Sequence, residues 1–575
     1  MTDSLQEATA LFERHLDQAR ATGPRATTAR MLLQLFALRF LSRAIRPDDS
    51  QGSWQRMMDS TSTDPIRVQK TLDRLATFVE RAHPELEGVF TNQLLPTLLD
   101  AGSLLREWVY SLGRIGTLFG SETARFGIWF DAVMDSSVTR GTAALQSTTP
   151  RNVADLMVRL AEGAPGESYH DPCVGLGTIL AAVTSHTYEG VARIRLSGQD
   201  IDPSSAALAR LRLFLLRART VRIKVGDVLR EPLFVEKISR PRLLPGQPPE
   251  HVNSDDLETF DVVLCDPPYG QRLANIEFAD HDRYKRFGHG KPGKGSSDLA
   301  FLQHCIACLK PGGRAIVLTA HGPLFRGGGD GEIRKNLIDH DLVDTVIGLP
   351  FGTLPGLSLE PALIVFRRGK KATRKNRILF VDASTKRNAL RNSTEWEELA
   401  DNIVWASSGK DVEKFSRSVS VEEIKSNGYS LQPRRYVVHE KEPATSFDIQ
   451  AALVQASAHE AEAANHAAQM TEALRELDVT TPWGPSSELR KRLSTLTPRE
   501  RRVFDAIVRG RLNKQIAAEL GTVEKTIKVH RSRIMHKMRA NSLVQLVLMA
   551  QGAGIHLSAE GMGGEGLEGA ARPSS

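Results

Sequence analysis

Residues 260–270, FDVVLCDPPYG, form an apolar run closed by an acid, two prolines and a tyrosine. Neither Pro267 nor Pro268 has a backbone N–H to donate, so a sheet ladder must end there. The same residues also have a chemical reading. Asp266 and the Pro267 carbonyl offer two acceptors on a rigid turn beside the aromatic face of Tyr269, a set suited to holding a planar amino group. Taken alone, the motif leaves that amine open among adenine, guanine and a protein amide.

Upstream, residues 170–180 read HDPCVGLGTIL. Gly175 and Gly177 permit a tight turn just before a helix whose free N–H groups favour an anionic group. A lone Gly-x-Gly is weak evidence, but its context strengthens it. In GQDIDP, Asp200 falls at a strand end, where a carboxylate can accept both hydroxyls of a ribose. Asp227, in VGDVL, ends the next short run and could meet an adenine amino group. With Asp266, these acids close successive strands and so share one rim of a parallel sheet, where open α/β sheets bind ligands. Any one of them alone would more often be a helix cap or a turn residue. Cys305 and Cys308 form a C-x-x-C inside an apparent helix with no second pair nearby, and the 16 histidines show no ligand spacing. No metal is expected, and core packing accounts for the cysteines.

The elements that must carry these residues follow from pattern and composition. A chain of 575 residues exceeds one hydrophobic core, so two to four domains are expected. Apolar and charged contents of 41% and 25% fit an ordinary soluble globular protein. The polar first thirty residues lack a signal-like apolar region, no apolar run would span a bilayer, and four cysteines fit a reducing compartment. A cytoplasmic location is the expectation. Residues 488–540 carry 15 Lys and Arg against 5 Asp and Glu in a chain of net charge +7. The basic excess is thus confined to one short segment, which suggests a polyanionic partner there rather than a merely solvated face.

Residues 1–145 are expected to be a helical domain, with 31–41 (MLLQLFALRFL) its densest amphipathic segment. An α/β domain is expected over 146–440, with strands at 194–200, 260–266, 312–320, 342–350 and 361–368 and helices between them. Residues 382–445 are a mixed tail of that domain. A long helix (446–477) and a linker (480–487) occupy 441–487, a helical module covers 488–556, and 557–575 are expected to be disordered. In that module, helices over 513–520 and 524–538 joined at Gly521 have helix-turn-helix proportions. Ile516, Ala517 and Leu520 face inward on one, Ile527, Ile534 and Met538 on the other. Lys525, Lys528, Arg531 and Arg533 are left for phosphates or base edges.

Two resemblances sharpen this picture. The order Thr149-Pro150, DPCVGLGT, GQDIDP, GDV, DPPY resembles S-adenosylmethionine-dependent methyltransferases acting on DNA adenine. Residues 301–328 and 333–370, with NGYSLQPRRYV (427–437), are similar to the modification subunit of type I restriction–modification systems. Segment 494–550, with LTPRE, NKQIA and TIKVH, resembles the LuxR/FixJ-type DNA-binding domain, although no receiver domain precedes it. The implied fold is α/β: a Rossmann-like methyltransferase domain with an N-terminal helical domain and a C-terminal all-α helix-turn-helix domain. The implied activity is adenine-N6 methylation of double-stranded DNA with S-adenosylmethionine as cofactor. Asp266, Pro267, Pro268 and Tyr269 would be catalytic, on a base flipped from the duplex. Thr149 and Pro150 would contact the methionine part of the cofactor; Asp171, Gly175 and Gly177 would form its loop. Asp200 would take the ribose and Asp227 the adenine, while Phe351 and Pro361 would shape the target pocket. The loop departs from the family in having Val-Gly-Leu-Gly where a small polar residue is usual, and Asp266 stands where Asn is frequent. A specificity subunit and a homodimer through the C-terminal module are the implied partners. The competing readings are a transcription regulator with a cofactor-sensing or inert methyltransferase domain, and methylation of RNA or a protein glutamine.

Overall fold

The computed structural model describes residues 3–18, 25–45, 65–94, 123–139, 149–186, 194–242, 250–273, 276–355, 359–390, 392–438, 492–508 and 513–538, with a few single positions between them. It divides into two compact units, Met1–Glu440 and Lys441–Ser575. The expected helix at 446–477 and the linker at 480–487 lie outside the described residues. No helix among the described residues is long and apolar enough to cross a membrane.

The larger unit begins with helices α1 (Asp3–Gln18), α2 (Arg25–Ile45), α3 (Pro65–Ala82) and α4 (Thr123–Thr139). The segment expected to be amphipathic, 31–41 in α2, is instead buried at every position, Gln34 and Arg39 included. A helix apolar nearly all round is one enclosed by its neighbours, and its two polar residues are provided for. Gln34 Nε2 donates to the Val89 carbonyl at 3.0 Å, and the Arg39 guanidinium sits 5.0 Å from the Trp54 ring centroid, its pKa lowered by burial to about 10. Phe36 stacks on Trp129 and Phe40 on Phe126, with centroids 5.3 and 4.1 Å apart, tying α2 to α4.

Among the described residues the α/β part is a nine-stranded sheet. Its strands are β1 (Ser168–Asp171), β2 (Arg195–Asp200), β3 (Thr220–Val225), β6 (Phe260–Cys265), β7 (Leu309–Ala320), β8 (Val343–Gly348), β9 (Pro361–Arg367), β10 (Arg377–Asp382) and β11 (Ser416–Ser420). A separate antiparallel hairpin pairs β4 (Val235–Arg242) with β5 (Glu250–Leu257). The sheet order is β11-β10-β8-β9-β7-β6-β1-β2-β3. Neighbours run parallel except that β9 is antiparallel to β7 and β8, and β11 to β10. From β1 the chain moves outward through β2 to β3, then returns to lay β6 on the other side of β1. That reversal leaves a crevice at the carboxyl ends of β1 and β6, the kind of place where ligands of open α/β sheets bind.

Burial explains the strand compositions. All positions of β8, and all but the last of β9, are buried; β9 reads as a continuous apolar run, whereas β8 includes Asp344, whose buried carboxylate is met by Arg374 at 2.9 Å. Helices α5 (Arg151–Ala161), α6 (Thr178–His186), α7 (Pro203–Leu215), α8 (Asp298–Ala307), α9 (Gly329–Asp339) and α10 (Ser393–Ser407) fall between the strands or precede them. Leu208, Leu211 and Leu215 of α7 enter the same core as α2 and α4, so the N-terminal helices pack directly on the sheet's own helix layer.

In the smaller unit, α11 (Pro498–Val508), α12 (Asn513–Glu519) and α13 (Glu524–Met538) enclose Val503, Phe504, Ile516, Ile527, Ile534 and Met538. Thr497 and Glu500 form a reciprocal capping box: Glu500 N–H donates to Thr497 Oγ1 at 3.2 Å and Thr497 N–H to Glu500 Oε2 at 2.9 Å. Gly521, at φ +59°, makes the turn between α12 and α13, a conformation that favours glycine.

Candidate functional site

The backbone of β6 ends at Cys265, and Asp266 is the first residue past it, beside the end of β1. Its carboxylate accepts from Thr149 Oγ1 at 2.7 Å through Oδ2 and from the Tyr269 hydroxyl through Oδ1. Burial raises the Asp266 pKa to about 6, against the pull of those two hydroxyl donors. Thr149, expected beside the cofactor, thus touches Asp266. Pro150 is the N-cap residue of α5, and its carbonyl accepts from Val153 and Ala154 N–H. One further residue holds the turn. Gly270 N–H donates to Asp298 Oδ1 at 2.8 Å, and Arg326 from the loop after β7 donates to the other oxygen of Asp298. Asp298 was not legible as part of the site, since an acid opening a helix reads as an ordinary first-turn residue.

Asp171 closes β1 and is 1% exposed; Cys173 N–H donates to its Oδ1 at 3.0 Å. Burial, together with the nearby Asp266 and Asp200, pushes its pKa well above the usual carboxylate range. Gly175 and Gly177 follow with φ of +50° and +76°. A Cβ on Gly177 would lie 3.1 Å from the Ala209 side chain of α7, so the loop packs closely there. Asp200 closes β2 and grips this loop: Gly175 N–H donates to its Oδ2 at 2.7 Å and Asp202 N–H to its Oδ1 at 2.8 Å. Asp227 lies just past β3, where its Oδ1 accepts from Leu229 N–H at 3.0 Å, a turn-stabilising contact. The four acids thus stand at the carboxyl ends of β1, β2, β3 and β6, on one rim.

Exposed apolar side chains share that rim. Ile201 follows Asp200 and is 69% exposed; Phe325 follows β7 and Phe351 follows β8, at 49% and 44%. Such surface suits flat rings. Ile201 and Phe325 were missed because a single apolar residue in a loop carries no pattern. Pro361 begins β9, and its carbonyl accepts from Leu349 N–H at 3.0 Å, closing the loop that bears Phe351.

Cys305 and Cys308 are buried, free thiols. His170, His304 and Cys308 bring possible ligand atoms within 4.8 Å of one another, a grouping that spacing along the chain did not reveal. The Arg286 guanidinium lies 3.3 Å from His304 Nδ1, so a fixed cation already stands against this cluster.

In the smaller unit, α13 carries the expected basic residues. Lys528 and Arg533 are exposed and Arg531 is half-buried; the side chain of Lys525 lies outside the described residues. Val523 and Val529 stand exposed among these cations, at 65% and 46%. An exposed helix face of this composition matches phosphates and the apolar edges of bases.

Residues 128–444 match the family profile described as N-6 DNA Methylase, and residues 494–550 match that of bacterial regulatory proteins, luxR family. The methylase subunit of the type I restriction enzyme HindI of Haemophilus influenzae is 28% identical over 312 residues, which cover 52% of this chain and 64% of that protein. The transcriptional regulatory protein FixJ of Rhizobium meliloti is 46% identical over 69 residues, 12% of this chain and 34% of its own. Matches to other type I methylase subunits span 51% and 49% of those proteins, so the chain corresponds to about half to two thirds of their length. The crystal structure of the type I restriction–modification methyltransferase subunit from Streptococcus thermophilus shares the fold, with a TM-score of 0.56 at 21% identity, covering 76% of this chain and 100% of that one.

Proposed function

This chain belongs to the N-6 DNA methylase family, and from that premise we propose that it methylates the 6-amino nitrogen of adenine in double-stranded DNA, with S-adenosylmethionine as methyl donor. The observation that carries the reading is the Asp266 carboxylate at the crevice between β1 and β6. It holds two hydroxyl donors, from Thr149 and Tyr269, in positions that an amino group can take over.

The residues of the crevice fit the donor. Burial and the nearby Asp266 and Asp200 raise the cost of ionising Asp171, a cluster of acids that a cationic ligand relieves. The Gly175–Gly177 turn offers backbone in place of side chain where a ligand must come close. Asp200 and Asp227 keep lone pairs for the ribose and the adenine of the donor beyond the N–H groups they already accept. When bound, S-adenosylmethionine supplies a methyl group already activated by its sulfonium.

The chain's own residues do the rest. Asp266 and the Pro267 carbonyl accept the two N–H groups of the target amine and draw its nitrogen toward a tetrahedral, nucleophilic shape. Pro267 and Pro268 stiffen that pair of acceptors, so alignment is gained without ordering a loop at the moment of reaction. The Asp266 carboxylate can then take the surplus proton, being a stronger base than an ordinary aspartate. Tyr269 covers the face of a base flipped from the duplex. Lys525, Lys528, Arg531 and Arg533 bring the enzyme to DNA, a specificity subunit provides further site recognition, and the C-terminal module is the homodimer contact.

The test uses purified full-length protein, methyl-labelled S-adenosylmethionine and DNA, alone and with candidate specificity subunits. Label should enter DNA, and Asp266→Ala should lower incorporation by about a hundredfold or more with an unchanged circular dichroism spectrum. Absence of label in every combination would overturn the proposal.

A further inference from the structure

Arg30, on α2, reaches across to the sheet. Its Nη1 lies 2.9 Å from Asp202 Oδ2. Asp202 is the N-cap of α7, accepting from Ser204 and Ser205 N–H, and its own N–H donates to Asp200 Oδ1 at 2.8 Å. The other oxygen of Asp200 receives Gly175 N–H. A continuous chain of contacts therefore runs from an N-terminal helix through Asp202 to the carboxylate at the end of β2 and on to the glycine turn. Asp200 and Asp202 are neighbouring acids that repel each other, and Arg30 is the cation that offsets this.

A second tie, independent of the first, reaches the same turn from its other flank. Arg212, 1% exposed on α7, donates to Asp131 Oδ1 and Asp135 Oδ1 of α4, each at 2.6 Å. Its Nη1 also donates to Thr178 Oγ1 at 3.0 Å, one residue past Gly177. Arg151, which opens α5, donates to Asp131 Oδ2 at 2.7 Å. The N-terminal helices thus hold both flanks of the turn.

We propose that these helices are part of the cofactor site, with Arg30 a positioning residue that fixes Asp202 and, through it, aims the Asp200 carboxylate at the cofactor ribose. The inference rests on the assignment of Asp200 to that ribose. It makes cofactor affinity depend on the seating of α2, so that whatever displaces this helix loosens the cofactor.

Calorimetric titration of the full chain with S-adenosylmethionine tests it. Arg30→Gln should weaken binding about two- to fivefold, the range of a partly exposed ion pair. Arg30→Lys should restore most of the loss, and added salt should bring the unmodified protein toward the Arg30→Gln value. Asp202→Asn keeps a good cap but removes the charge that Arg30 meets; it should weaken binding similarly, and adding Arg30→Gln to it should change nothing more. The proposal is overturned if Arg30→Gln binds as the unmodified protein does, or weakens binding equally in the Asp202→Asn background. Should Arg30→Gln fail to fold, Asp202→Asn decides, and unaltered affinity there overturns the proposal. Asp200→Asn separates the two assignments. Intact binding in that variant removes the ribose assignment and this inference together, whereas lost binding with a silent Arg30→Gln removes the inference alone.

Discussion

Asp266 shows how one residue sets opposing demands on this molecule. Its pKa of about 6 means that the carboxylate form, the one that accepts from an amine, fills as pH rises through that value. Methyl transfer is therefore expected to show an acidic limb near or somewhat below pH 6, since a cationic donor favours the ionised form. Asp266→Asn keeps one acceptor oxygen and should flatten that limb while retaining part of the rate; a pH–rate profile with single-turnover kinetics checks it. The folded-state pKa lies above the unfolded value, so the acid's contribution to stability falls as pH rises from about 4 through about 6. Asp266→Asn should consequently melt higher than the unmodified chain at pH 8 and no higher at pH 4. Tyr269 adds a second point at this scale. Its hydroxyl occupies Asp266 Oδ1, whereas covering a base needs only the ring. Tyr269→Phe should therefore keep the aromatic face and free one acceptor for the target amine.

At the scale of elements, the site is a set of strand ends buttressed by helices. The ion network of Arg212, Arg151, Asp131 and Asp135 joins α4, α5 and α7 where little water reaches. Arg212→Leu leaves two carboxylates facing each other with Arg151 alone to balance them. It should cost about 3 kcal/mol, read as a lower melting transition of the larger unit. None of this network was legible in the sequence, because Asp131 and Arg212 are far apart in the chain and neither belongs to a motif. The same holds for Arg30 with Asp202 and for Gly270 with Asp298. What was legible was local: an apolar run ended by Asp-Pro-Pro-Tyr, a Gly-x-Gly before a helix, and acids after Val/Ile-rich runs all reveal themselves within about ten residues. The strands at 194–200, 260–266, 312–320, 342–350 and 361–368 fall within a few residues of β2, β6, β7, β8 and β9. The hairpin Val235–Leu257 escaped notice because Pro241 and several prolines in the intervening loop argue against a strand. Strand β10 ends at the first residue of what read as a mixed tail, and β11 extends the sheet into that tail. The all-round burial of 31–41 depends on α1, α3 and α4 packing around it, which a periodicity cannot show.

At the scale of the whole molecule, one chain carries two compact units. The smaller carries the strongly basic segment 488–540 and with it a basic helix, the larger a crevice lined with acids. Replacing both Lys528 and Arg533 by Gln should weaken DNA binding across sequences and lower the slope of log affinity against log salt by about 2, roughly one for each phosphate left without its cation. Salt titrations by fluorescence anisotropy would show it, and an unchanged slope would mean that this helix does not meet the DNA backbone. The larger unit's role depends on which atom receives the methyl group. The most direct measurement is mass spectrometry of nucleosides from DNA treated with the protein, S-adenosylmethionine and any needed specificity subunit. N6-methyldeoxyadenosine that disappears with Asp266→Ala is the expected product. Methylated cytosine instead, or methylated RNA or protein with unmodified DNA, would contradict the assignment of this crevice to adenine.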